Sequence, residues 1–233
     1  MRFETVSRTH VGLKRKINED NLLVRSAAGL FVVADGMGGH EAGEVASARI
    51  VEALGALARV TPDEISACLG HVNRGLRDLA EEGGEKRTIG STVVGLLIDE
   101  AQALCFWAGD SRAYRYRDSQ LVPLSRDHSL VNELIEAGMI EAERADEHPN
   151  GNVITRAVGA SDTLRLDIEA GEVRPGDVYL LASDGVTRMV PDPELRAALG
   201  GAQSLHEVAD GLVWSVLQRG APDNLTLVLI RVA

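Results

Sequence analysis

Aromatic side chains are scarce in this chain: Phe, Trp and Tyr make up 3% of it. A core without many large rings has to be filled by Val, Leu, Ile and Ala. Cysteine is nearly absent, and two thiols, Cys68 and Cys105, are too few for a disulfide framework or a zinc site. No apolar run approaches the roughly 20 residues that span a bilayer. The opening MRFETVSRTH lacks the apolar segment of a secretory leader. These absences lead us to expect a cytoplasmic protein with no membrane partner. Positive charge is short as well: the formal net charge is −11, and the basic cluster KRK at 14–16 is brief. Nucleic-acid binders neutralise phosphates with clustered Lys and Arg, so a nucleic-acid partner is argued against. The carboxylate excess attracts divalent cations instead.

What is present is ordinary for a globular chain: 233 residues, 45% hydrophobic and 25% charged, with no internal repeat. Short β-rich runs come early, at 22–24 and 30–35. The stretch 41–60 places Val45, Ile50, Leu54 and Leu57 at helical spacing. The stretch 61–82 opens with a capping box, Thr61 to Glu64, with Pro62 at the first helical position. After GGEKRT breaks the pattern, a β-rich block runs over 91–124, and its short spacers predict antiparallel neighbours. A short helix is predicted over 129–138 and an exposed loop over 141–152. Strands return at 164–173 and 177–183. Helices follow near 192–199 and 204–219, the second opened by a capping box from Ser204 to Glu207, and NLTLVLIRV closes the chain as a strand. Blocks of neighbouring strands separated by helix pairs predict an α+β layered domain, with antiparallel sheets and helices on their outer faces.

Four acids mark strand ends. Asp35 ends LFVVAD, Asp110 ends LCFWAGD, Asp184 ends VYLLASD, and Asp223 directly precedes NLTLVLIRV. Any one of them reads as a turn residue, because Asp-Gly at 35–36 and 184–185 is a common turn pair. As a set they point elsewhere. Strand ends on one edge of a sheet converge, and crowded carboxylates repel unless a cation sits among them. An oxygen-rich donor set suits Mg²⁺ or Mn²⁺. Gly36, with no Cβ, leaves its backbone carbonyl open to such an ion. A further element, GLKRKINED at 12–20, sets Arg15 just ahead of Glu19 and Asp20. Acids hold metals, and a guanidinium fork fits the free oxygens of a phosphate.

GLKRKINED, VVADGMGGH, IGSTVV, FWAGDSRAY, LSRDHS, NVITRAVG, LLASDGVT and APDNLTLVLI occur in this order along the chain. In that set the sequence resembles the PP2C-type (PPM) metal-dependent Ser/Thr protein phosphatases, and most of all their short, stand-alone bacterial forms. The resemblance covers nearly the whole chain. It implies a single domain over 1–233: a four-layer α-β-β-α sandwich of two central antiparallel sheets flanked by helices, with a flap at about 139–160. It implies two Mn²⁺ or Mg²⁺ ions and hydrolysis of phosphoserine and phosphothreonine by a metal-activated water. Asp35 matches the bridging carboxylate, Gly36 a carbonyl ligand, and Asp184 and Asp223 the acids of the second ion. Glu19 and Asp20 match positions that hold metal or metal-bound water. Arg15 matches the phosphate-binding arginine and Asp110 an acid of a weaker third ion; His40, placed as in the bacterial forms, is the expected general acid, with a metal-bound water as the alternative. Two positions depart from the pattern. Arg188 stands where many relatives carry an acid of the third site, and Met37 where animal members carry a histidine. The partners implied are phosphorylated proteins, including a Ser/Thr kinase and its targets. Relatives of this form usually oppose such a kinase, in some cases one regulating type VI secretion. The chain is expected to act as a monomer.

Three other readings compete. Cys68 and Arg74 have the Cys-x5-Arg spacing of cysteine-dependent phosphatases, but they lie inside a predicted helix. GMGGHE at 36–41 matches neither dinucleotide nor P-loop spacing. A catalytically inactive binding module of the same fold is opposed by the filled ligand positions.

Overall fold

The computed structural model describes residues 1–38, 42–82, 88–99, 102–141, 150–151, 153–201 and 204–233. Along the chain run β1 (Phe3–His10), β2 (Asp20–Arg25), β3 (Leu30–Met37), α1 (Ala42–Gly55) and α2 (Pro62–Glu82). Then come β4 (Gly90–Ser91), β5 (Val93–Ile98), β6 (Gln102–Ala108), β7 (Arg112–Arg117), β8 (Gln120–Pro123) and α3 (Leu130–Glu136). The last third holds β9 (Asp167–Glu172), β10 (Val178–Ala182), α4 (Asp184–Thr187), α5 (Asp192–Leu199), α6 (Leu205–Gln218) and β11 (Leu225–Val232). Two antiparallel sheets result. One is ordered β1-β11-β10-β7-β8, the other β2-β3-β5-β6-β9, with β4 paired to the tip of β3.

The layering follows from strands that are apolar on both faces. In β3, Leu30, Val32 and Ala34 face α1 and α2, where Ile50, Leu54, Leu69 and Leu76 meet them. The alternate residues Phe31 and Val33 point the other way, into a core shared between the sheets with Val228 and Ile230 of β11. β11 repeats the scheme: Leu225, Leu227 and Leu229 pack against Leu195, Val208 and Leu212 of α5 and α6. Period-2 geometry sends neighbours to opposite faces, so a strand buried on both sides reads as an unbroken apolar run. Three apolar cores therefore separate four layers, helix, sheet, sheet and helix, as the sandwich expectation required.

The helices obey their end signals, with one correction. Ser204 and Glu207 form the full reciprocal capping box of α6. At α2, Thr61 Oγ1 accepts from Glu64 N at 3.2 Å, but the Glu64 carboxylate turns to Arg59 at 2.8 Å, so half of the predicted box forms. Val45, predicted as apolar-face, is exposed, while Ile50 and Leu54 are fully buried.

The β-rich block also needs a correction. β5 pairs β6, and β7 pairs β8, as the short spacers predicted. β6 and β7 do not pair: they lie in different sheets, and residues 109–111 carry the chain across. Gly109 makes that crossing at φ 123°, a backbone region that side chains rarely adopt. The first and last strands meet as well, since β11 sits between β1 and β10.

Candidate metal centre

Asp20 opens β2 and pairs directly with Asp35 near the end of β3. Ser183, which follows β10 in the opposite sheet, donates its hydroxyl to Asp20 Oδ2 at 2.8 Å and accepts from Thr226 N at 3.0 Å. Asp184 begins α4 on the next residue rather than ending the strand, close enough to Asp35 for the two carboxylates to repel. The crossing at 109–111 delivers Asp110 between the sheets. Asp223 stands ahead of β11, and its Oδ2 accepts from Arg15 Nη2 at 2.7 Å. The acids picked out by sequence from opposite ends of the chain thus meet on one edge of the sandwich.

The backbone around Asp35 is clamped by hydroxyls. Thr92 Oγ1 accepts from Asp35 N at 3.1 Å, Ser91 Oγ donates to Asp35 O at 2.9 Å, and Thr92 Oγ1 bonds Ser111 Oγ at 2.8 Å. This is the structural work of the IGSTVV run. LSRDHS secures the other side. His128 Nδ1 accepts from Gly109 N at 3.1 Å, the His128 ring stacks on Trp107, and Asp127 takes a two-pronged bond from Arg112 at 2.8 and 2.7 Å. Asn224 pins the loop that carries Arg15 and Glu19. Its amide donates to Val11 O and Ile17 O, and its oxygen accepts from Glu19 N at 2.8 Å. Sequence reasoning did not single out Ser183, Thr92 or Asn224. For Asn224 the signal was its place in APDN, directly after an acid already chosen.

Gly36 has a second reason to be glycine. A Cβ there would run into the Gly43 carbonyl of α1, and one at Gly43 would strike the Glu19 carboxylate. Glu19 Oε1 accepts from Gly43 N at 3.1 Å. It thereby caps the first turn of α1, where an acid also complements the helix dipole. His40 lies outside the described residues. So do 142–149 and 152 of the predicted flap. The later part of that segment is anchored: Thr155 N donates to His128 O at 2.8 Å, Val158 bridges Ser91, and Ala157 and Val158 are buried.

Electrostatically the centre is a set of acids short of counter-charge. Burial pushes Asp20 up to about 7, with Asp184 and Asp223 adding repulsion. Burial raises Asp35 well above the usual carboxylate range, with Asp20, Asp184 and Asp110 contributing. Asp110 is pushed up to about 6, again by burial first. Asp184 and Glu19 are raised by the same cause. Two buried oxygens, Oδ1 of Asp20 and Oδ1 of Asp110, have no hydrogen-bond partner. An orphaned buried carboxylate oxygen is costly, and a hard cation is the partner that suits it. Among the described residues, no three His, Cys, Asp or Glu side chains are drawn into a ready-made ligand shell. The acids are held instead by Ser183, Arg15 and Arg188. Oxygen-only donors, two of them unsatisfied, fit Mn²⁺ or Mg²⁺.

The cysteine route finds no such support. Cys68 lies within α2, and burial raises its thiol pKa, away from a reactive thiolate. No helix among the described residues is long and apolar enough to cross a membrane.

Comparison with known proteins agrees with this geometry. The family model "Protein phosphatase 2C" matches residues 11–221. The serine/threonine phosphatase Stp of Listeria welshimeri is 36% identical over 235 residues, covering 96% of this chain and 93% of that protein. The structure of PppA, a key regulatory component of the type VI secretion system in Pseudomonas aeruginosa, is 42% identical with a TM-score of 0.91, covering 99% of this chain and 98% of that one. The catalytic domain of the phosphatase PstP, solved with two manganese ions, is 31% identical with a TM-score of 0.88, covering 99% of each chain. The chain belongs to the protein phosphatase 2C family and is a protein serine/threonine phosphatase that uses divalent metal.

Proposed function

We propose that the chain hydrolyses phosphoserine and phosphothreonine in proteins at the edge where the two sheets end, and that it reverses the action of a bacterial Ser/Thr kinase in the cytoplasm. One observation carries the reading. Asp20, Asp35, Asp110 and Asp184 are crowded at one edge of the sandwich with two unsatisfied buried oxygens, and Arg15 stands beside them.

In this reading Asp35, the Gly36 carbonyl, Asp184 and Asp223 hold two Mn²⁺ or Mg²⁺ ions, with Asp20 and Glu19 completing their surroundings. Bound there, the ions supply Lewis acidity and a lowered pKa for the attacking water. Arg15 is the phosphate anchor. Its guanidinium is half exposed and paired with an Asp223 that is also open to solvent, at side-chain exposures of 51% and 38%. An exposed pair is worth little, so phosphate oxygens can compete for that fork. Water attacks phosphorus in line, the P–O bond to the serine or threonine breaks, and the departing alkoxide takes up a proton. His40 is assigned that proton on sequence alone. No covalent phosphoenzyme forms. Ser183 and Asn224 keep the acids in register while the substrate changes.

Phosphate release from a phosphothreonine peptide tests the reading, first with Mn²⁺ and then with excess EDTA. Activity that EDTA abolishes and Mn²⁺ restores is expected, together with loss of turnover in Asp35→Asn. Wild-type turnover in Asp35→Asn would remove Asp35 from the metal assignment.

A further inference from the structure

Among the acids of the centre, Asp110 and Asp184 are set apart by what joins them. Arg188 Nη2 donates to Asp110 Oδ2 at 2.9 Å, and Arg188 Nε lies 3.0 Å from Asp184 Oδ2. These are the two nitrogens of one guanidinium edge, and each engages a different carboxylate. The geometry is locally imposed. Asp184 and Arg188 lie one turn apart at the two ends of α4, and Arg188 N also donates to Asp184 O at 2.9 Å. Asp110 is held from the opposite side by the sheet-to-sheet crossing and is 4% exposed, with Oδ1 unpartnered. The guanidinium therefore occupies the position between two carboxylates that a bridging cation would need.

We propose that Arg188 is a built-in cation that closes the Asp110–Asp184 corner, so that the centre takes up two divalent ions and no third. This rests on the metal reading of the site given above. A guanidinium and a divalent ion cannot share the corner. The ion would have to displace both charge-assisted bonds, and it would then face a cation tethered only one helical turn away. The guanidinium balances the acids without the chemistry of a metal, since it is a permanent cation that neither takes open-site ligands nor acidifies water. Its side chain is 37% exposed. The side chains it joins are more enclosed, at 5% for Asp110 and 18% for Asp184, so the guanidinium is the part of the corner that meets solvent.

The prediction separates charge from packing. Arg188→Gln removes the charge and keeps much of the side chain, Arg188→Asp supplies an additional acid, and Arg188→Lys keeps a cation. Chelator-stripped protein is titrated with Mn²⁺ by equilibrium dialysis, with free Mn²⁺ read by electron paramagnetic resonance and folding checked by circular dichroism. Wild type and Arg188→Lys are expected to bind two ions per chain. Arg188→Gln is expected to bind a third ion over the Mn²⁺ range in which wild type stays at two, because the corner has lost two charge-assisted bonds and gained a free pair of carboxylates. Arg188→Asp, where it folds, is expected to bind the third ion more tightly still. A wild type that binds three ions overturns the proposal. So does an Arg188→Gln protein that stays at two, and that result leaves the two-ion centre standing. A wild type that binds none overturns the metal reading of the whole site, and this inference with it.

Discussion

The hydroxyl of Ser183 and the carboxylate of Asp20, 163 residues apart in sequence, meet at 2.8 Å and join the tip of one sheet to the tip of the other. Ser183 is fully buried and also satisfies Thr226 N. Ser183→Ala leaves that N–H and both Asp20 oxygens short of partners. A buried unsatisfied group costs about 1–3 kcal/mol. The variant should unfold at lower urea than wild type, and an unchanged midpoint would show that the joint carries no stability.

Arg15 and Asp35 should separate kinetically. If Arg15 grips phosphate in ground and transition states alike, Arg15→Ala raises KM for a phosphopeptide about tenfold with a smaller change in kcat, and Arg15→Lys recovers part of the loss. A large fall in kcat at constant KM would move Arg15 from anchoring to the chemical step.

Metal-free protein should lose stability as pH rises. Burial pushes Asp20 up to about 7 in the folded chain, against 3.8 for the free side chain. Between those values the folded chain holds more protons than the unfolded one, so stability falls with rising pH. The contribution is whole below the lower value and is lost as pH passes through the upper. Asp110 acts alike in a window ending near 6. His128, whose pKa burial lowers, slopes the other way. The clean comparison is therefore wild type against Asp20→Asn in EDTA. The melting temperature of wild type should fall more between about pH 5 and 8, and Mn²⁺ should erase the difference. Parallel profiles would contradict the crowding of Asp20.

Cys68→Ser should retain activity within about twofold, since the thiol lies within a helix where no thiolate is stabilised. Inactivation by that change, with the fold intact, would revive a cysteine nucleophile.

The acids were legible because each ends or borders a strongly apolar run, and such runs show where strands stop. Ser183 and Thr92 were not, since a hydroxyl in or beside a strand reads the same whether it faces solvent or clamps a buried acid or its backbone. β1 was also passed over. FETVSRTH buries Val6 but leaves most of the strand half open, and its partner lies at the far end of the chain. The β6–β7 crossing was invisible for a related reason: the spacer of residues 109–111 is as short as a hairpin, and local spacing does not tell which sheet receives the next strand. Arg188 stood out in sequence as a departure, but only the fold gives it two carboxylates to hold.

The position of β11 between β1 and β10 has a consequence during synthesis. The sheet that begins with the first strand stays open in its middle until the last strand is made, and Asp223 arrives just ahead of that strand. A chain still emerging from the ribosome can gather Asp20 and Asp35 on their hairpin, but it lacks the final acid and the pairing that brings the two sheets into register. Activity is then expected only after β11 has been made and has paired with β1 and β10.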